Sequence, residues 1–126
     1  MKRLWNGIGL LAVILVLGFW TTDRLTQIHT EISEMVMDSG DAARAGQWDR
    51  ADALAREAKE KWENGWGTSA SLADHTVLDE IEGLFAQAEV YRESRRAADY
   101  AAICARLAAA VDAIQEAHQI SWWNLL

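Results

Sequence analysis

Between Gly7 and Trp20 the chain carries no charged or strongly polar side chain. In lipid, a run of this kind satisfies its backbone polar groups only as a helix. Counted from Leu4, the stretch is 17 residues, interrupted only by Asn6. At 1.5 Å per residue it spans about 25 Å, against a hydrocarbon core of about 30 Å. Thr21 and Thr22 can extend the helix, and local bilayer thinning absorbs the rest. Nine Leu, Ile, Val or Phe residues lie between Ile8 and Phe19. At roughly −0.3 to −0.6 kcal/mol each, they contribute about −3 to −5 kcal/mol toward insertion, less the cost of the glycines. Trp5 and Trp20 stand at the two ends, where indole rings favour the membrane interface.

Lys2, Arg3 and the α-amino group precede this segment, and the excess of positive charge holds that end in the cytoplasm. Asp23 and Arg24 cancel on the far side. A cleaved signal peptide has the same layout, but cleavage needs small residues in an A-x-A-like pattern. The sequence Gly18-Phe19-Trp20-Thr21-Thr22-Asp23-Arg24 offers none, and no cysteine is placed for lipidation. The expectation is a retained single-pass anchor. Residues 1–21 form the cytoplasmic stub and membrane span, and residues 22–126 form an extracytoplasmic domain.

Proline is absent from all 126 residues, which removes the strongest helix breaker. No period-two run of β-branched and aromatic residues marks a strand, so the domain reads as all-α. Four apolar stripes recur at three- and four-residue spacing. The first is Leu25, Ile28, Ile32 and Met35, followed by Ser39 and Ala42, on a helix reaching about Arg44. Gly40 weakens it, and Gly46 terminates it. The second is Trp48, Ala51, Ala55, Ala58 and Trp62, widened by Leu54, with its end left open by Gly65 and Gly67. The third is Leu78, Ile81, Phe85, Ala88 and Tyr91, widened by Val77 and Leu84, after a cap at Asp74 or Thr76. The fourth, from about Arg95 to His118, is Tyr100, Ile103, Leu107, Ala110, Ile114 and Ala117, with Cys104 and Val111 beside it. Four such helices with short connections predict an antiparallel up-and-down four-helix bundle, its first helix continuous with the anchor. Trp48 and Trp62 supply much of the predicted core bulk. Cys104, the single cysteine, reads as a small buried hydrophobe.

The chain carries a net charge of −7, and Lys2 with Arg3 contribute +2 of it, leaving −9 on the remainder. That balance opposes contact with nucleic acid and broad adhesion to anionic lipid. Ala43, Gly46, Trp48, Ala51, Ala55 and Ala58 resemble one turn and helix of a tetratricopeptide repeat. No second copy follows at the period of roughly 34 residues such an array needs.

A broader resemblance rests on four features in order. They are the Lys2-Arg3 start with its apolar segment, and Ala45-Gly46-Gln47-Trp48-Asp49 with Trp62 downstream. Asp74-His75-x-x-Leu78-Asp79-x-Ile81-Glu82 follows, then Ser121-x-x-Asn124-x-Leu126. Together these resemble the family called domain of unknown function 4363 over essentially the whole chain. The resemblance implies a small single-pass membrane protein of Gram-positive bacteria, without a known activity. The chain departs from it in Gly65 and Gly67 and in two tryptophans near its end.

Chemistry-bearing candidates are few. His75, Asp79 and Glu82 share one helical face and are weak candidates for a divalent metal. The local reading is a helix start whose acids face the positive dipole end, and no metal or other cofactor is expected. His29 and His118 have no partner at ligand spacing. Thr68, Ser69 and Ser71 lack a base or nucleophile elbow. No enzyme is expected. Trp122, Trp123, Leu125 and Leu126 form an aromatic and apolar tail suited to the membrane interface or a partner. The favoured function is a membrane-anchored interaction or assembly protein. Its partners are membrane lipid and another membrane or envelope protein. The alternative is a small ligand-sensing or metal-binding bundle acting with a partner membrane protein. The sensing version needs an output domain elsewhere, since only six residues precede the apolar run.

Overall fold

The computed structural model describes residues 1–66 and 75–123, and within these the side chains of all but 21–26, 66, 115 and 118–123. The described residues form four α-helices and no strand: α1 (Lys2–Arg44), α2 (Trp48–Trp66), α3 (His75–Glu93) and α4 (Ala97–Trp123). α1 is one helix of 43 residues, about 65 Å long. Its first part, Lys2–Trp20, has no buried residue, and its second part joins the core through Ile32, Val36, Ser39, Ala42 and Ala43.

Two turns of the same construction shape the fold. After α1, Gly46 adopts φ +74, its N–H donates to the Ala43 carbonyl, and the Gln47 N–H donates to the Ala42 carbonyl. This pairing of a left-handed residue with two backward hydrogen bonds is the Schellman arrangement, which satisfies the last carbonyls of a helix. After α3, Arg95 adopts φ +53, its N–H donates to the Arg92 carbonyl, and the Arg96 N–H donates to the Tyr91 carbonyl. Gly46 is the residue type the position asks for, and Arg95 is not. α4 therefore begins at Ala97 and not at the expected Arg95, because residues 94–96 are spent on the turn. It also runs to Trp123, beyond the expected His118, because nothing in Gln119-Ile120-Ser121-Trp122-Trp123 breaks a helix.

α1 packs against both α2 and α4, and α3 packs against α4. The α1–α4 contact is close: a Cβ added at Gly40 would lie 3.2 Å from the Cys104 Cβ and 3.3 Å from the Ala101 Cα. One continuous core joins Ile32 and Val36, Ala51, Ala58 and Trp62, Ile81 and Leu84, and Tyr100, Leu107 and Val111. Each expected stripe supplies buried residues, with local corrections. Val77 is exposed, because α3 lies mainly against one neighbour and buries a narrow face. Ala117 is exposed as well. Trp48 is half-buried where a core position was expected, since it opens α2 at the end of the core. Asp74, Gly67 and the Thr68–Ser71 hydroxyls lie outside the described residues.

Candidate functional site

Two features stand apart from ordinary core packing: the bare half of α1, and a cleft between α2 and α3. Lys2–Trp20 has the length and composition to cross a membrane, and none of it is buried within the molecule. Trp5 is 73% and Trp20 59% exposed, with Leu10, Leu15 and Phe19 similarly open. Lys2 and Arg3, at the helix start, are exposed too.

The cleft encloses about 350 Å3. Val36, Phe85 and Leu107 give it an apolar floor beside Tyr100 and Cys104, and Lys59, Glu63 and Glu89 stand among its charged residues. Lys59 and Glu89 approach to 3.7 Å, bridging α2 and α3. The Trp62 and Phe85 rings meet at 6.1 Å between centroids.

A buried hydroxyl chain lies beneath. Ser39 is fully buried, and its Oγ donates to the Ala51 carbonyl at 2.7 Å. Its one proton is thereby committed, so the Tyr100 hydroxyl, 2.6 Å away, donates to Ser39. The chain Tyr100 to Ser39 to Ala51 ties α4, α1 and α2 together at one level. Burial pushes the Tyr100 hydroxyl above its ordinary range. Burial likewise pushes the Cys104 thiol up to about 11. At neutral pH that thiol stays protonated and is a poor nucleophile.

At the turn end, Asp52 collects two arginines. Arg92 Nη1 donates to Asp52 Oδ1 at 2.8 Å. Arg95 reaches both carboxylate oxygens, at 3.1 and 3.2 Å. The Arg95 guanidinium also lies 4.9 Å over the Trp48 ring, whose other neighbour is Tyr100 at 6.1 Å. These contacts offset the cost of a non-glycine residue at positive φ, about 1–3 kcal/mol. Hydrogen bonds from Arg95 hold the Asp52 carboxyl below its ordinary 3.8; burial opposes this, and Arg92 adds to the lowering. A depressed folded value means the stabilisation is fully present above pH 3.8 and is lost as pH falls through the lowered value. Asp52→Asn should lower stability at pH 7 and flatten its fall between pH 4 and pH 2. Urea midpoints across that range check this, and an unchanged acid slope would remove Asp52 from the acid response.

The remaining sequence candidates are not brought together. His75, Asp79 and Glu82 all point to solvent in the first turns of α3. No group of three or more His, Cys, Asp or Glu side chains among the described residues is placed to hold a metal ion. Trp122 and Trp123 occupy the last turn of α4, their side chains outside the described set, and Leu125 and Leu126 lie outside the described residues altogether. Asp52, Arg95 and the cleft were missed by sequence reasoning. Ser39 left a trace, as a hydroxyl on an apolar stripe. Comparison with curated proteins and with solved structures returned no match. A family model, Domain of unknown function (DUF4363), matches residues 19–125, from the end of the apolar run through the helical domain, and the chain belongs to that family.

Proposed function

We propose that this chain is a bacterial single-pass signal-anchor protein whose helical domain engages another membrane or envelope protein. Lys2–Trp20 crosses the bilayer with Lys2 and Arg3 in the cytoplasm. The domain outside is an antiparallel up-and-down four-helix bundle, with α1 serving as both anchor and first bundle helix. One observation carries this reading: an apolar segment with no buried residue is continuous with a helix that enters a packed core. Exposing so much contiguous apolar surface to water is unfavourable, and lipid removes the penalty. The bundle reading is supported by Ser39 meeting Tyr100, and by Asp52 and Lys59 of α2 meeting Arg92 and Glu89 of α3.

The test is a pair of fusions to the full chain. A C-terminal reporter active only in the cytoplasm should stay silent, and one active only outside should work. The purified protein should retain Lys2 and Arg3. An active cytoplasmic reporter would overturn the orientation, and an N-terminus beyond Trp20 would replace the anchor with a signal peptide. Extraction in mild detergent should recover the chain in a complex with a second membrane or envelope protein. Recovery as a bare monomer would favour the second reading, in which the 350 Å3 cleft takes a small molecule.

A further inference from the structure

We infer that the end of α4 is a second membrane contact, resting on the bilayer interface beside the point where α1 emerges. The inference rests on the anchor reading above and deepens it by naming where else the domain meets lipid. It follows from helix register. α1 and α4 cross closely at Gly40 and Ala101, and the Ser39–Tyr100 hydrogen bond fixes the same level. From that crossing, Trp20 lies 20 residues back along α1 and Ser121 lies 20 residues on along α4. With 1.5 Å per residue in both helices, each position is about 30 Å from the crossing. The core residues Ile32 and Val36 of α1 and Leu107, Val111 and Ile114 of α4 lie between those levels in one cluster, so the two helices are partners over the first part of the way. α4 continues unbroken to Trp123. Its final turn thus stands at the height of Trp20, where the apolar run of α1 ends. α2 stops short of that height, since Gly65 near its end is level with Ile28.

The chemistry changes where the register says it should. Acidic and basic residues are spread along the domain as far as Glu116. From Ala117 to Leu126 there is no Asp, Glu, Lys or Arg. The domain as a whole is acidic and would be repelled by an anionic surface. Residues 64–73 are also free of charge and carry Trp66; what sets this stretch apart is the pair Trp122 and Trp123, residues suited to the headgroup boundary, on a helix that reaches the height of Trp20. An occupant that demands neutral, aromatic, interfacial residues at the height of a bilayer exit is the bilayer itself. Two contacts from antiparallel helices would restrain the tilt of the domain in a way that one helix cannot.

The experiment uses the full chain in phosphatidylcholine vesicles. Cys104 is 2% exposed, so the parent chain should take up little thiol label, and single cysteines can be added to it. Leu11→Cys reports the anchor, Ser121→Cys the end of α4, and Ala98→Cys the beginning of α4 at the turn end. Each carries an environment-sensitive dye, quenched either by lipid with brominated acyl chains or by iodide in the aqueous phase. The expected result is loss of emission to brominated lipid at positions 11 and 121, and to iodide at 98. Position 121 behaving like 98, with 11 still lipid-quenched, would overturn this inference and leave the anchor standing. Protection of 121 from both quenchers would overturn it in favour of a tail folded over the end of the core. Failure of lipid to quench position 11 would overturn the anchor reading, and this one with it.

Discussion

Trp62→Ala is expected to destabilise the protein by about 3–5 kcal/mol, the range for truncating a large aromatic in a packed core. Trp62 is only 4% exposed. The buried face of α2 is otherwise built from Ala51 and Ala58, so its indole supplies most of the bulk that this helix contributes. Its ring packs tilted against Phe85 of α3, across the side of the fold where α2 and α3 are held by side chains. Removing it leaves a void that neighbouring alanines cannot fill, and loosens the grip of α2 on α3. Urea denaturation of the full chain in detergent, followed by circular dichroism, checks the figure. A loss under about 1 kcal/mol would mean that the site collapses around the smaller side chain or that the ring is not a core element.

Gly40→Leu is expected to cost about 1–3 kcal/mol through overpacking, and to separate α1 from α4. Gly40→Ala should be close to neutral. Replacing a mid-helix glycine by alanine gains up to about 1 kcal/mol in helix propensity. Against that gain, the new Cβ would sit 3.3 Å from the Ala101 backbone, a contact that must relax slightly. Leucine adds atoms that have nowhere to go. The displacement falls one residue from Ser39, so it also strains the 2.6 Å contact with Tyr100, leaving buried hydroxyls poorly paired. The same denaturation series checks both substitutions, with near-ultraviolet circular dichroism reporting Tyr100. If leucine were as well tolerated as alanine, the close crossing would not be a feature of the folded protein.

The helices were legible because each buries a face at helical period, and sequence records that period directly. Ile32, Ile81 and Leu107 are core for the reason their spacing suggests. Gly46 marked its turn, since a left-handed residue is most often glycine. The matching turn was not centred on Arg95, where the fourth helix was expected to begin, because an arginine side chain does not announce a positive φ. What makes that φ tolerable is Asp52, 43 residues away in sequence and close only after the helices pair. Gly40 was read as a weak point in a helix, whereas it permits a close approach to α4. The distinction depends on a neighbour that one helix cannot reveal. The cleft was invisible for a similar reason: it is a separation between α2 and α3, and periodicity describes faces and not gaps. Trp48 was misjudged because a stripe says which side of a helix is apolar but not how far the core extends along it.

The unbroken α1 fixes the angular phase of the domain. In the proposed anchored arrangement, one continuous helix runs from bilayer to core, so its register would set how the domain faces about the membrane normal. Each residue added near position 21 would lift the domain by about 1.5 Å and turn it by about 100°. Two added turns, about seven residues, would bring the same face back to within roughly 20° of its original bearing. Under the proposed function, a partner embedded in the same bilayer would meet one bearing of the domain, set by the count of residues between lipid and core.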